Sequence, residues 1–266
     1  PIFVDVEEET LCIDIEKIKE VINNKTKAIM LVSANGRYPK TNIEEYVDLA
    51  NKFDIKIIED AAQSLGSFYP DGTHVGLKGS IGSFSFSMPK IITTGQGGAL
   101  FTNNEKYAEK IALLKNFGRA SSGNDIHKVI GFNSKFTEMQ AAIGVEQMKK
   151  LQLRIELKKH IWKRYSDNLK DVPGIKLFNH DLKNTAPWFI DAICEDKLAL
   201  QDFLKKKNIG SRDMYPPLNK QEAYKIPGDF PVSFNIGEKG LWLPSAAQLQ
   251  DDEIDYICES IKEFYS

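Results

Sequence analysis

Apolar residues recur along this chain with two different periods, and their alternation predicts an α/β fold. Residues 28–33 (AIMLVS) and 55–59 are short, nearly continuous apolar runs of the kind that buried strands require. Between them, residues 42–53 place Ile43, Tyr46, Val47 and Ala50 on one helical face. Strand, helix and strand in that order form the βαβ signature of a parallel sheet with helices on its faces. Residues 81–86 and 99–102 read as further strands, and residues 104–117 as a helix stopped at Gly118, the usual left-handed C-terminal position. Residues 1–6 also read as a strand from the middle of a sheet. A doubly wound domain usually has further βα units ahead of such a strand. The domain is therefore expected to be small, or the chain to be a fragment without its N-terminal part.

A second region opens at Thr137. Thr137 and Gln140 have capping-box spacing, which satisfies two unpaired backbone donors at a helix start. The helix is expected to run to about Leu169, roughly 50 Å at 1.5 Å per residue. Its basic stretch LKKHIWKR reads as a solvated face. Pro173-Gly174 ends the pattern. Strand-like and helical pieces follow at 175–178, 188–194, 197–208 and 251–265. The expected organisation is a large α/β domain over 1–136, a connecting helix over 137–170 and a smaller α+β domain over 171–266.

Composition narrows the function. The 266 residues carry 35 basic and 37 acidic side chains, a formal net charge of −2. Such a balance argues against nucleic acid or a polybasic membrane role, since either needs a concentrated cationic face. No apolar run approaches the length of about 18 residues needed to span a bilayer. Cys12, Cys194 and Cys258 are too scattered for a disulfide framework or a zinc spacing, which suggests a reducing cytoplasm. His74, His127, His160 and His180 lack ligand spacing, so no metal is expected. No serine sits in a G-x-S-x-G elbow.

The candidate chemistry lies in residues 57–98. Asp60 ends an apolar strand, at the edge where α/β sheets bind ligands. Lys90 follows Pro89 and precedes Ile91 and Ile92, so its surroundings are apolar and its amine is a candidate nucleophile. A carboxylate for a ring nitrogen and a lysine for an imine are what pyridoxal phosphate needs from a protein. Asp60 alone reads equally well as the cap of a helix starting at Ala61. Gln63 could reach the phenolic oxygen of a cofactor, or be ordinary helix-end polarity. Ser85, with Gly82 and Ser83 before it, could hold a phosphate, although Ser83, Ser85 and Ser87 also fit a plain half-buried strand. Gly95, Gly97 and Gly98 allow close backbone approach to a ligand but do not have dinucleotide spacing.

Together the runs EDAAQSLGS, GSIGSFSFSMPK and TTGQGGALFTN, then Gly131-Phe132-Asn133 and Thr137-Glu138-Met139-Gln140-Ala141-Ala142, resemble the DegT/DnrJ/EryC1/StrS sugar aminotransferases. Tyr215-Pro216-Pro217-Leu218 and Leu243-Pro244-Ser245 resemble that family's "PLH" and "LPS" stretches. The resemblance implies a pyridoxal-phosphate transferase of fold type I, with a mostly parallel sheet flanked by helices. It implies catalytic roles for Lys90 and Asp60, and cofactor contacts from these two with Gln63, Ser85 and Asn133. Asn133 would reach the phosphate of a neighbouring subunit, so a homodimer with shared active sites is implied. The expected partners are a nucleotide-linked keto sugar and an amino-acid donor, with glutamate as the expected donor. The family's N-terminal Gly-Thr phosphate contact and stacking aromatic are absent from the sequence. Lys135 stands where many members have arginine, and Asn219 where many have the histidine of "PLH". The weighed alternatives are a catalytically silent fragment or sugar-nucleotide scaffold, and a dehydratase of the same fold. The dehydratases replace the lysine with histidine, so Lys90 argues against that reading.

Overall fold

The structure, a computed structural model, describes residues 1–120 and 125–266. It contains two four-stranded sheets among the described residues. The first has the order β1 (Ala28–Val32), β2 (Lys56–Asp60), β3 (Ile81–Ser85), β4 (Gly98–Phe101). The first three strands run parallel and β4 returns antiparallel. This is the mostly parallel sheet expected of fold type I. Helices α1 (Ile15–Val21) and α2 (Ile43–Lys52) cover one face. Ile15, Ile18, Ile43, Tyr46 and Ala50 pack there on Ile29, Leu31 and Ile57. The α2 face matches its periodicity. β1 is apolar throughout yet alternates in burial, with Met30 and Val32 exposed on the other face.

Helix α3 (Glu105–Lys115) starts at the Asn104 cap and ends in a turn whose Gly118 has φ +81°. The second sheet is antiparallel, in the order β5 (Ile175–Leu177), β6 (Ile190–Cys194), β8 (Gly240–Leu243), β7 (Arg212–Asp213). With α6 (Lys197–Lys206), α7 (Pro231–Lys239) and α8 (Asp251–Tyr265) it forms the C-terminal α+β unit. Ile161, Tyr165, Leu200, Leu204, Ile254 and Ile261 are among the residues of its core.

Two expectations change. Residues 1–6 form no strand; Val6 makes a single bridge to Ile13. The one helix expected over 137–170 is two, α4 (Glu138–Met148) and α5 (Leu151–Leu169). The Thr137–Gln140 capping box opens α4 as expected. At the join, Lys150 N–H turns back to the Gln147 carbonyl at 3.0 Å, a three-residue return that ends the α-helical ladder. The basic stretch of α5 is also not uniformly solvated. Ile155, Lys158, Ile161, Trp162, Tyr165 and Leu169 form its buried stripe, and the Lys158 amine donates to the Ser245 carbonyl.

Candidate active site

The carboxyl ends of β1 and β2 are level, since Val32 pairs with Asp60, and β3 runs two residues further to Ser85, with Ser83 opposite Asp60. Asp60 starts no helix. Its Oδ1 accepts the Ala62 N–H at 3.0 Å, an Asx turn that holds the half-buried carboxylate at the sheet edge. The Ser83 hydroxyl lies 3.4 Å from the same oxygen. The adjacent Glu59 points the other way and is fully buried. It accepts from Tyr69 Oη at 2.7 Å, Gly76 N at 2.8 Å, Lys78 N at 2.6 Å and Gly79 N. One carboxylate thus ties the 69–79 loop beneath the site.

Lys90 sits on an excursion between β3 and β4. The excursion closes on itself through Phe86 N to Gly97 O and Thr94 N to Phe86 O, both at 2.9 Å. Ile91 and Ile92 anchor it among Ile155, Ala186 and Trp188, and Arg154 donates to the Ile91 carbonyl at 2.9 Å. Partial burial pushes the Lys90 pKa down from 10.5 to about 8, and the nearby negative charge of Asp60 opposes that shift. Lys90 faces a cavity of about 780 Å³ between the domains, whose walls include Arg154, Lys158, Arg212, Trp188 and Trp242.

Gln63 and Ser85 lie around the same edge. Gln63 Oε1 accepts the Asn35 N–H at 2.7 Å, which leaves its amide nitrogen available to a ligand. Gln63 lines a smaller cavity of about 260 Å³ with Asn35, Trp242 and the 215–219 segment. The Ser85 hydroxyl is 3.1 Å from that of Ser87 and 3.3 Å from the Ser87 N–H, so two hydroxyls gather at the end of β3. Asn133 is not brought to this edge. It is exposed, and its backbone bridges Asn116. Asn219 is buried and its amide donates to the Ile226 carbonyl at 3.1 Å.

Sequence reasoning missed three groups. Asn35 has φ +55°, and its side chain brackets Phe189, with Oδ1 accepting the N–H at 2.7 Å and Nδ2 donating to the carbonyl at 3.0 Å. Arg37 makes a bidentate pair with Asp191, at 3.0 and 2.6 Å, buried between the domains. Trp188 lies under Lys90. The partners are about a hundred residues or more apart, so no local motif announces them. The left-handed Asn35-Gly36 pair was the one local signal.

The family model of the DegT/DnrJ/EryC1/StrS aminotransferase family matches residues 1–262. The chain belongs to this family. The GDP-perosamine synthase of Escherichia coli O157:H7 is 34% identical over 270 residues, covering all of this chain and 73% of that protein. The dTDP-4-amino-4,6-dideoxy-D-glucose transaminase of Shigella dysenteriae is 33% identical, covering 99% of this chain and 73% of that protein. A crystal structure of a DegT DnrJ EryC1 StrS aminotransferase from Brucella abortus superposes with a TM-score of 0.89 at 30% identity, over all of this chain and 74% of that one. The protein is thus a sugar aminotransferase dependent on pyridoxal phosphate. The residues present have the chemistry that cofactor needs: a partly desolvated amine at Lys90, a carboxylate at Asp60, a free amide nitrogen at Gln63 and paired hydroxyls at Ser85 and Ser87, with Lys90 and Gln63 lining different cavities.

Proposed function

We propose that this aminotransferase moves an amino group from glutamate to a nucleotide-linked keto sugar, for polysaccharide or glycoconjugate biosynthesis. The observation that carries the site assignment is the placement of a half-buried lysine, Lys90, on the β3–β4 excursion, with Asp60 at the carboxyl end of the neighbouring β2. The perosamine synthase and the dTDP-sugar transaminase among its relatives support the substrate class. A dTDP-4-dehydro-2,6-dideoxy-D-glucose 3-dehydratase of Saccharopolyspora spinosa, 28% identical over 99% of this chain, is also a relative. A lysine at position 90 favours amino transfer over dehydration.

Lys90 is the residue that bonds the cofactor. When bound, pyridoxal phosphate supplies an electron sink for the carbanion formed at the substrate carbon. Asp60 keeps the ring nitrogen protonated with its negative charge. Gln63 offers its free amide N–H to the ring oxygen, and the Ser85 and Ser87 hydroxyls serve the phosphate. Lys90 Nζ, once released, takes a proton from the donor carbon as general base and returns it as general acid. A pKa near 8 keeps both protonation states populated near neutral pH.

The protein is also proposed to act as a homodimer in which Asn133 serves the partner's site. Helix α4 buries none of its residues, and Met139, Ile143, Val145 and Met148 are exposed, as are Ile130 and Phe132 in the segment before it. That apolar surface is suited to a second copy. Its three cysteines are free and buried, as suits a reducing cytoplasm.

The test is spectroscopic. Pyridoxal phosphate added to the protein gives a visible absorbance band that Lys90→Ala abolishes. A band of equal strength in Lys90→Ala refutes the assignment. Glutamate with a panel of keto-sugar nucleotides, followed by mass spectrometry, then identifies the acceptor; no amino sugar from any of them counts against the substrate class.

A further inference from the structure

Lys90 and Trp188 line the same cavity. The Lys90 Nζ lies 3.7 Å from the centroid of the Trp188 ring, close enough for a cation–π contact. The same indole donates its N–H to the carbonyl of Pro89, the residue before the lysine, at 2.7 Å. Trp188 is buried and stacks on Phe189 at 4.0 Å, and Phe189 is in turn bracketed by the Asn35 side chain. The Asn35 N–H bonds Gln63. A continuous set of contacts thus runs from Gln63 through Asn35, Phe189 and Trp188 to the lysine.

We propose that Trp188 is a positioning residue for Lys90: its ring face receives the ammonium whenever the amine is not bonded to the cofactor, and its N–H fixes the backbone that carries the lysine. This rests on the assignment of Lys90 above. A lysine that leaves and regains a bond in every turnover needs a defined resting place, because its four-carbon stem is otherwise free to wander. The charged surroundings make the ring necessary. Asp60 of β2 is the anion felt at Lys90, whereas Lys150, Arg154, Lys158 and Arg212 line the cavity it faces. Arg154 and Arg212 stay charged at any working pH and offer the ammonium no counter-charge from that side. The electron-rich face of an indole can hold an ammonium without adding a carboxylate to a site meant for anionic ligands.

The experiment measures Lys90 protonation in the full-length chain stripped of cofactor. Trace acetylation at a series of pH values, with the Lys90 peptide quantified by mass spectrometry, gives the midpoint. Native protein is compared with protein in which all tryptophans are tetrafluorotryptophan, which keeps ring shape and N–H but drains the ring face. The expected result is a midpoint lowered by about one pH unit in the fluorinated protein, the size of a partly desolvated cation–π contact. Fluorination of Trp188→Phe protein, where Trp162 and Trp242 still carry the label, is expected to leave the midpoint in place. An unmoved midpoint in fluorinated native protein overturns the proposal. So does an equal shift in the Trp188→Phe background. Should Trp188→Phe fail to fold, the two native-sequence samples still decide. The Lys90→Ala absorbance test stands apart, so failure of the lysine assignment and failure of this proposal are distinguishable.

Discussion

Replacing Asp191 by alanine isolates the interaction that joins the two domains behind the site. Arg37 enters from the segment after β1, and Asp191 from β6. Their side chains are 4% and 0% exposed and share contacts of 3.0 and 2.6 Å. Arg37 also donates through Nε to the Thr10 carbonyl at 3.0 Å and meets His180 at 3.2 Å. Asp191→Ala leaves a guanidinium buried without its counter-charge, a change that costs about 3–5 kcal/mol. Removing both charges, as Arg37→Met with Asp191→Leu, loses the Thr10 bond, worth about 1 kcal/mol, but no longer buries an ion. The double variant is therefore expected to be more stable than Asp191→Ala. Urea titrations at pH 7 on the parent, Asp191→Ala, Arg37→Met, Asp191→Leu and the double variant give the cost of Asp191→Ala and, from the last three with the parent, the coupling energy. About 2 kcal/mol or more is expected between contacting buried charges. A cost under about 1 kcal/mol for Asp191→Ala, or strictly additive single effects, refutes the reasoning.

Further outcomes follow from other buried groups. His180 is fully buried, and burial together with the Arg37 and Lys158 charges holds its pKa well below 6.5. The unfolded chain therefore binds the extra proton first, and the His180 contribution, intact above pH 6.5, is lost as pH falls; His180→Gln is expected to flatten stability against pH below that point, and parallel curves for the two proteins defeat the idea. Burial lowers Lys158 from 10.5 to about 7. Relative to Lys158→Met, the parent is expected to gain about 2 kcal/mol of stability between pH 7 and 9, measured by urea titration at each pH; equal gains in both proteins would falsify the assignment of a buried, poorly solvated amine. Glu59→Gln cannot serve four donors as a carboxylate does, and is expected to cost about 2–3 kcal/mol and to open the 69–79 loop to limited proteolysis, whereas an unchanged cleavage pattern contradicts the anchoring role.

Elements whose stability is set locally were legible in the sequence. The apolar stripe of α2 and the Thr137 capping box each depend on residues within one or two turns, and each stands where periodicity or cap chemistry put it; α3 ends at Lys115, two residues short of the expected stop, and Phe117 takes the left-handed position after its cap ahead of Gly118. The break between α4 and α5 was not legible, because the Gln147–Leu151 stretch contains no proline or glycine and keeps helical spacing through a tightened turn. Residues 1–6 have strand propensity but find no neighbouring strand, and propensity without a ladder partner does not make a sheet. In the candidate site, Asp60 and Lys90 stand out in the sequence because both lie within the single stretch from β2 to β4. Trp188 could not, since its contact with the Lys90 segment joins residues 99 apart. Nor could the burial of Lys158, because a run of basic residues reveals charge but not the carbonyl of Ser245 waiting across the fold.

The adjacent acids Glu59 and Asp60 have a consequence for how the molecule assembles. Because neighbouring strand residues project to opposite sides, sliding β2 by one position would exchange the two carboxylates. The loop anchor would then be stranded at the open rim, and the other acid would be driven among apolar groups with no donors arranged to meet it. Mispairing of this strand therefore carries its own penalty, and any chain that has tied down the 69–79 loop has already turned Asp60 to the opposite face of the sheet.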